Sequence, residues 1–277
     1  AKRGVSPRTP ALAGGIYSLI AEGGNLVVSV GEDGTLLIDD QFAPLTKKIL
    51  QEIEKVAGEA PRFLINTHWH YDHTGGNENL GADGTLIVAH DRVRERLSVD
   101  NRITAFDADI PALDKVGLPV MTFSRDMTFH LNNDVIRAFH VRHAHTDGDS
   151  VVHFQRANVI HAGDIWFNGF YPFVDVEHGG SLAGMIEAAS KIIALANAKT
   201  VIVPGHGPVG DRQSLIDYRD MLAEVLQQLR SLKAQETPLD EVIAKKPTAG
   251  FDEQWGDGLF SGEAWLRIVY PGLEMPR

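Results

Sequence analysis

The stretch Thr67–Asn77 reads Thr-His-Trp-His-Tyr-Asp-His-Thr-Gly-Gly-Asn and contains the pattern HxHxDH. Its three histidines and one aspartate fall within six residues, directly after an apolar stretch, Phe63–Asn66, that is typical of a buried strand. Imidazole nitrogens and carboxylate oxygens are the ligands that Zn²⁺ and other borderline divalent metals prefer. On a loop that leaves a strand, we expect the first two histidines to face one ion, and the aspartate and third histidine to face another. A histidine-rich surface turn is the alternative, but it would not predict matching ligands farther along the chain.

Such ligands do recur, in three segments where a histidine or aspartate follows an extended stretch. The segments are Val141–Ser150 with His143 and His145, Asn158–Asp164 with His161 and Asp164, and Val201–Gly207 with His206. Ligands at strand ends are held rigidly, and neighbouring glycines allow the backbone to approach a metal closely. The segments therefore predict further metal ligands, with more than one candidate histidine in the first of them.

Composition excludes several classes of protein and of site. The 277 residues can bury a large core, and the absence of cysteine excludes disulfides, thiolate metal sites and a cysteine nucleophile. The net charge is −11, with lysines and arginines scattered, so nucleic acid is not an expected partner. No apolar run approaches the ~20 residues that a membrane span requires, and we expect a soluble protein. The start at Ala1, without methionine, is consistent with leader removal and a periplasmic or secreted location; a cytoplasmic location stays open.

Extended apolar stretches alternate with segments of helical periodicity. The predicted helices are Pro44–Val56, His90–Leu97, Leu182–Ala196 and Arg212–Leu232. The alternation favours two sheets with helices outside, in a single domain over residues 1–277. We expect the C-terminal segment, about residues 211–277, to pack on the body because Trp255, Phe260 and Trp265 make it apolar. Gly117–Phe129 and Trp166–Phe173 are interpreted as long loops or lids.

The ordered motifs HxHxDH, His-Thr-x-Gly, Gly-Asp and Pro-Gly-His-Gly, over about residues 13–210, resemble the metallo-β-lactamase superfamily. The resemblance implies an α/β fold, an αββα sandwich of two mixed sheets flanked by helices, with a two-metal site along one edge of the sheets. It also implies the ligands of that site. His68, His70 and His145 would hold the first ion, Asp72, His73 and His206 the second, and Asp164 would bridge both.

Several other polar residues compete with these assignments. The superfamily signature has the ligand directly before Thr-x-Gly, which favours His145 over His143. We interpret His161 as a packed or hydrogen-bonded strand residue, and the aspartates that follow His145 as ordering a turn. Four further histidines lie in regular segments and are interpreted as structural or surface residues; they are His90, His130, His140 and His153.

The resemblance implies a hydrolase with two Zn²⁺ per chain, although Fe or Mn is also consistent with the donors. A hydroxide held between the metals would cleave an ester, lactone, thioester or β-lactam-type bond, with Asp72 orienting the water and passing on its proton. Dedicated β-lactamases have cysteine or serine near the position of Asp164, which lowers the expectation of efficient lactam cleavage. The alternatives are an iron persulfide-dioxygenase-like oxidoreductase, a weak promiscuous β-lactamase and a non-catalytic binding protein.

Aromatic residues after Asp164 bear on the substrate. Because aromatic side chains beside a metal site favour apolar ligands, Trp166–Phe173 predicts a small apolar or ring-containing substrate. A loop that only covers the core is the competing interpretation. Within and after this loop, Tyr171 is a candidate donor to a developing oxyanion, and His178 a candidate substrate contact.

Overall fold

Short strands alternate with helices throughout the computed structural model, which describes residues 9–20 and 23–273. Within these residues the strands are β1 (Ala11–Ala13), β2 (Ile16–Leu19), β3 (Leu26–Ser29), β4 (Leu36–Ile38), β5 (Phe63–Ile65), β6 (Leu86–His90), β7 (Asn101–Ile103), β8 (Ala108–Ile110), β9 (Met121–Phe123), β10 (Asp126–Leu131), β11 (Asp134–His140), β12 (Ser150–Phe154), β13 (Val159–Phe167) and β14 (Val201–His206). The α-helices are α1 (Thr46–Ala57), α2 (Tyr71–Thr74), α3 (Asn77–Ala82), α4 (Asp91–Leu97), α5 (Leu182–Leu195), α6 (Arg212–Ala234), α7 (Leu239–Lys245), α8 (Asp252–Trp255) and α9 (Gly262–Val269).

The strands form two mixed sheets and one separate hairpin. The first sheet has the order β1-β2-β3-β4-β5-β6-β9. In this sheet β4, β5, β6 and β9 run parallel to one another. The second sheet has the order β10-β11-β12-β13-β14, antiparallel except for the last pair, and β7 pairs only with β8. This order places the C-terminal ends of β5, β13 and β14 near one edge of the molecule.

Apolar side chains from the two sheets meet in a central layer. Ile38 and Ile65 of the first sheet belong to the same buried cluster as Ile136 and Val203 of the second. Helix α1 covers the outer face of the first sheet, while α5 and α6 cover that of the second. The predicted αββα sandwich is therefore confirmed.

Sequence signals at the helix ends explain where the main helices begin and stop. The side chains of Ser181 and Asp211 accept backbone N–H groups at the starts of α5 and α6, as N-caps do. Helix α1 is followed by the C-cap residue Gly58, whose φ of 72° suits glycine. The predicted apolar face of α6 is buried and consists of Leu215, Tyr218, Met221, Leu222, Val225 and Leu229.

The C-terminal segment after α6 folds back on α5 and α6, the helices that cover the second sheet. Trp255 and Trp265 are buried in the same apolar cluster as α5 and α6. The predicted domain also includes residues 1–8, 21–22 and 274–277, which lie outside the described part of the chain. Among the helices of the described residues, none is both long and apolar enough to cross a membrane.

One predicted loop is wrong, and another is correct only from Asn168 onward. Gly117–Phe129 contains β9 and the start of β10, and Trp166–Phe173 begins with the last two residues of β13. Strand β9 has three residues and pairs with the distant β6, so nothing in its local sequence reveals its partner. Trp166 and Phe167 are fully buried, whereas the aromatic content alone suggested a lid.

Candidate metal centre

The side chains that the sequence predicts as metal ligands lie together at one edge of the sandwich. His68 and His70 follow β5, His145 lies between β11 and β12, Asp164 lies within β13, and His206 ends β14. The donors form three overlapping groups, and within each group the donor atoms lie within 4.8 Å of one another. The groups are His68 with His70 and His145, His68 with His73 and Asp164, and Asp72 with His73 and His206.

Hydrogen bonds on the far side of each ring fix the tautomers of the first group. His145 Nδ1 lies 2.8 Å from the carbonyl oxygen of Phe173, and His70 Nε2 lies 2.9 Å from Asp175 Oδ2. Carbonyl and carboxylate oxygens only accept, so these ring nitrogens carry the protons. His68 Nδ1 lies 3.0 Å from Thr67 Oγ1, which already donates to a carboxylate and therefore accepts from the ring.

The opposite nitrogen of each of these rings is consequently left with a bare lone pair. His70 Nδ1 and His145 Nε2 face each other at 2.9 Å, and His68 Nε2 is buried without a hydrogen-bond partner among the described residues. Lone pairs directed at one another repel unless a cation lies among them. The first group therefore fits a metal ion, and the all-nitrogen donor set suits zinc.

The group of Asp72, His73 and His206 contains a carboxylate, unlike the first group. His206 Nε2 lies 3.2 Å from Asp72 Oδ2 and 3.4 Å from His73 Nε2. Asp164 lies between this group and the first group, with Oδ1 3.1 Å from His73 Nε2 and Oδ2 3.4 Å from His145 Nε2. This position suits a ligand shared by two ions.

Burial and charge shape the protonation of the metal-free cluster. Burial lowers the pKa of His145 to about 4 and that of His68 well below its ordinary value. Burial also acts to lower the pKa of His73 and His206, but the attraction of Asp164 and other carboxylates outweighs this effect. The pKa of His73 is therefore raised well above its ordinary value, and that of His206 is raised to about 9. Bound protons thus balance the carboxylates where a metal cation would do the same.

Two glycines allow the cluster to close. A Cβ atom at Gly24 would collide with the ring of His73, and one at Gly205 would collide with Asp164 Oδ1. The glycine of the Pro-Gly-His motif therefore lets β14 approach the carboxylate of Asp164.

Two carboxylates that position candidate ligands were not predicted. Asp39 Oδ2 lies 2.7 Å from His73 Nδ1, and its other oxygen accepts from Thr67 N. Asp39 follows β4 and has a φ of 59°, so a polar residue directly after a buried strand was the available signal. Asp175 meets His70 from 105 residues away, and no local pattern indicates this contact.

Tyr171 and His178, the candidate substrate contacts, lie outside the lining of the cavity next to the donor cluster. The Tyr171 hydroxyl donates to Asp252 Oδ1 at 2.9 Å, and the residue is fully buried. His178 Nδ1 lies 2.8 Å from Asp175, and its ring packs on Trp69. Neither residue is part of the cavity lining, so this placement favours structural roles.

Four of the remaining histidines contact other parts of the structure. His161 Nε2 lies 2.8 Å from the carbonyl oxygen of Asn25, and its Nδ1 accepts from Gly163 N, as a hydrogen-bonded strand residue would. His143 is exposed and bonds to the carbonyl of Gly179, so His145 is the histidine of this segment that faces the cluster. His90 and His140 stack on each other with ring centroids 3.8 Å apart.

An apolar cavity of about 510 Å³ opens onto the cluster. Four candidate ligands contribute to its lining, namely His70, Asp72, Asp164 and His206. The other lining residues are Phe42, Tyr71, Ile103, Phe106, Phe167, Phe170, Phe173, Gly258 and Leu259. Within residues 9–20 and 23–273, no lysine or arginine lines this cavity.

Comparison with known proteins relates the chain to one family. The family described as the metallo-beta-lactamase superfamily matches residues 20–206. A hydroxyacylglutathione hydrolase from Polaromonas sp. is 29% identical over 184 residues, which are 66% of this chain and 61% of that protein. A metallo-beta-lactamase type 2 from Bacillus cereus is 23% identical over 209 residues, which are 75% of this chain and 76% of that protein.

Solved structures share the fold. A metallo-beta-lactamase from Pontibacter korlensis has a TM-score of 0.63 at 18% identity, covering 78% of this chain and 99% of that one. The DIM-1 metallo-beta-lactamase has a TM-score of 0.64 at 17% identity, covering 80% and 99%. At these identities the likeness concerns architecture alone.

Proposed function

The chain belongs to the metallo-beta-lactamase superfamily, and from this premise we propose a metal-dependent hydrolase of small, neutral carboxylic esters, lactones or thioesters with an apolar group. One observation carries the proposal: a cluster of nitrogen and carboxylate donors lines the end of an aromatic cavity. An uncharged apolar substrate would gain from burial there, whereas an anionic one would find no lysine or arginine in the lining within residues 9–20 and 23–273.

Seven side chains would hold two zinc ions. His68, His70 and His145 would bind the first, Asp72, His73 and His206 the second, and Asp164 both. When bound, such ions lower the pKa of water and polarise a carbonyl oxygen.

Asp72 is the candidate for moving the proton. It lines the cavity, and its side chain is 21% exposed, against 4% for Asp164. Although burial acts in the opposite direction, the neighbouring His73 and His206 lower the pKa of Asp72 to about 2 in the metal-free protein. Asp72 is therefore ionised at neutral pH and can accept a proton from an attacking water and return it to the leaving group.

The rings of the cavity would orient the substrate. Phe167 packs against His206 at 5.2 Å, and Phe170 packs edge-on against Phe167 at 5.7 Å. These rings exclude water from one side of the donor cluster, which strengthens electrostatic interactions there.

A substrate panel with the zinc-loaded protein tests this proposal. The panel contains p-nitrophenyl butyrate, an alkyl-substituted lactone, S-lactoylglutathione, a chromogenic cephalosporin and bis-p-nitrophenyl phosphate. We expect the highest kcat/KM for the neutral ester or lactone. A clear preference for the glutathione thioester, the cephalosporin or the phosphodiester would contradict the proposed substrate class.

Asp72→Asn tests the proton transfer. General acid–base groups contribute about 100-fold or more, so kcat should fall by at least that factor. The exposed Asp83→Asn is the control and should keep full activity. Metal content is measured in both variants, because Asp72 is also a candidate ligand. An Asp72→Asn protein with full metal content and unchanged kcat would contradict this role.

β-Lactam hydrolysis is the second candidate. The Bacillus cereus relative carries the name metallo-beta-lactamase type 2, and this similarity favours some lactam turnover. The apolar lining at Phe167 offers no charge for the carboxylate of an antibiotic, so we expect turnover of the cephalosporin to be weak.

A further inference from the structure

The outer wall of the cavity comes from two segments that contribute none of the candidate ligands. Phe106 lies in the turn between β7 and β8, and Gly258 and Leu259 lie between α8 and α9. The part of the chain that matches the superfamily ends at residue 206, so this C-terminal contribution lies beyond it. Phe106 is 38% exposed and Leu259 is 46% exposed, which places both at the mouth.

Aromatic contacts connect this wall to the donor cluster. Phe106 packs edge-on against Phe173 at 4.9 Å and stacks with Phe260 at 5.8 Å. The backbone oxygen of Phe173 also accepts from His145, a candidate ligand. The wall is thus tied to the same loop that orients a histidine of the cluster.

The C-terminal segment is anchored on both sides of Leu259. Tyr171 N donates to the oxygen of Trp255 at 2.9 Å, and Trp265 Nε1 donates to the oxygen of Pro172 at 2.7 Å. Gly258 touches Phe170 so closely that a Cβ atom there would collide with its side chain. Leu259 therefore has a fixed position, although its side chain is exposed.

We propose that Leu259, together with Phe106, is the specificity-determining wall that limits the size of the apolar group accepted by the cavity. This inference rests on the proposed ester, lactone or thioester hydrolysis. A substrate places its reacting carbonyl at the donor cluster and its apolar group against this wall. Esters with short or single-ring acyl groups fit inside, whereas longer chains collide with Leu259 and Phe106 and are disfavoured.

The acyl-chain preference of zinc-loaded full-length protein tests the wall. The substrates are p-nitrophenyl acetate, butyrate and octanoate, and the readout is the ratio of kcat/KM for octanoate to that for butyrate. We expect Leu259→Ala to raise this ratio about tenfold or more and Leu259→Trp to lower it by a similar factor, since one methylene in an apolar pocket is worth about 10- to 200-fold. Leu195, at the end of α5, is 44% exposed and lies outside the cavity lining, so Leu195→Ala is the matched control. Unchanged ratios in both Leu259 variants, or an equal change in Leu195→Ala, would overturn the proposal.

A binding measurement separates this inference from the proposed chemistry. N-phenyl-1-naphthylamine is neutral and aromatic, and its fluorescence rises in an apolar site. We expect it to bind the zinc-loaded wild type, and Leu259→Trp to weaken binding at least about tenfold while Leu195→Ala leaves it unchanged. If no ester is cleaved but binding follows this pattern, the wall stands and the proposed hydrolysis fails. A wild type that does not bind the probe, or a Leu259→Trp variant that binds it equally well, refutes the wall.

Discussion

Each histidine of the first ligand group uses one ring nitrogen to bind the protein and presents the other to the cluster. The Phe173 carbonyl, Asp175 and Thr67 act on His145, His70 and His68 respectively. The candidate ligands could be predicted from sequence, because histidine and aspartate at strand ends are visible in the motifs themselves. The groups that orient them are not visible, since a buried carboxylate such as Asp175 is brought to its partner only by folding.

Asp175→Asn should weaken zinc binding at the first site about 10- to 100-fold. The aspartate accepts from both His70 Nε2 and His178 Nδ1, and an asparagine has only one acceptor oxygen for the two rings. His70 would then lose its fixed tautomer or its orientation. Competition with a chromophoric chelator measures the affinity, and thermal melting of the metal-free protein checks that the variant folds.

The exposed Asp83→Asn serves as the control for this variant and should bind zinc like the wild type. Equal zinc affinity in Asp175→Asn and the wild type would show that Asp175 does not position His70.

At the scale of elements, the long amphipathic segments are the predictable ones. Helices α5 and α6 agree with their predicted ranges within a few residues, because their apolar periodicity and capping residues are local. The β7–β8 hairpin was not predicted, since its strands have three residues each and pair only with each other. Phe106 lies in that hairpin, so its contribution to the cavity could not be predicted from the sequence either.

The ends of β6 and β11 meet through the stacked rings of His90 and His140, which should make the fold sensitive to acid. His90 Nδ1 accepts from Arg92 N, a bond that requires a bare nitrogen. Burial, followed by the neighbouring His90, lowers the pKa of His140 to about 4. The unfolded chain binds this proton near pH 6.5, so the contribution is complete above that pH and is lost as the pH falls towards 4.

His140→Asn should therefore reduce the loss of unfolding free energy between pH 6.5 and pH 4 by about 1–2 kcal/mol, after allowance for solvent screening. Urea denaturation of the metal-free protein at both pH values measures the difference. His130→Asn, on the exposed side of β10, should leave the pH dependence unchanged. An identical pH dependence in His140→Asn and the wild type would contradict this explanation.

Over the whole molecule, the αββα architecture was predictable because the motifs are ordered along the chain as in one superfamily. The closure of the cavity by the C-terminal segment was not, since apolar residues such as Trp255 and Trp265 predict burial but not where they pack. Helices α5 and α6 and the C-terminal segment share one apolar cluster. Stability and cavity shape are therefore coupled through the C-terminal segment.

Trp265→Ala should lower the unfolding free energy by about 3–5 kcal/mol, the range for a buried large aromatic residue. Trp265 is fully buried and stacks on Tyr171 with ring centroids 4.6 Å apart. Trp265→Phe keeps a ring but loses the hydrogen bond to Pro172, so about 1–2 kcal/mol is expected. Denaturant unfolding of both variants gives the comparison. Equal losses would contradict the separate contributions of ring and hydrogen bond.

The metal content of the purified protein shows whether the donor cluster is a hydrolytic site for two zinc ions. Elemental mass spectrometry is combined with hydrolysis of p-nitrophenyl butyrate in the same sample, before chelation, after chelation and during zinc titration. The proposed site predicts about two zinc ions per chain at saturation, with activity lost on chelation and restored by zinc. About one iron per chain with oxygen consumption and no ester hydrolysis would contradict it, as would activity that survives complete removal of metal.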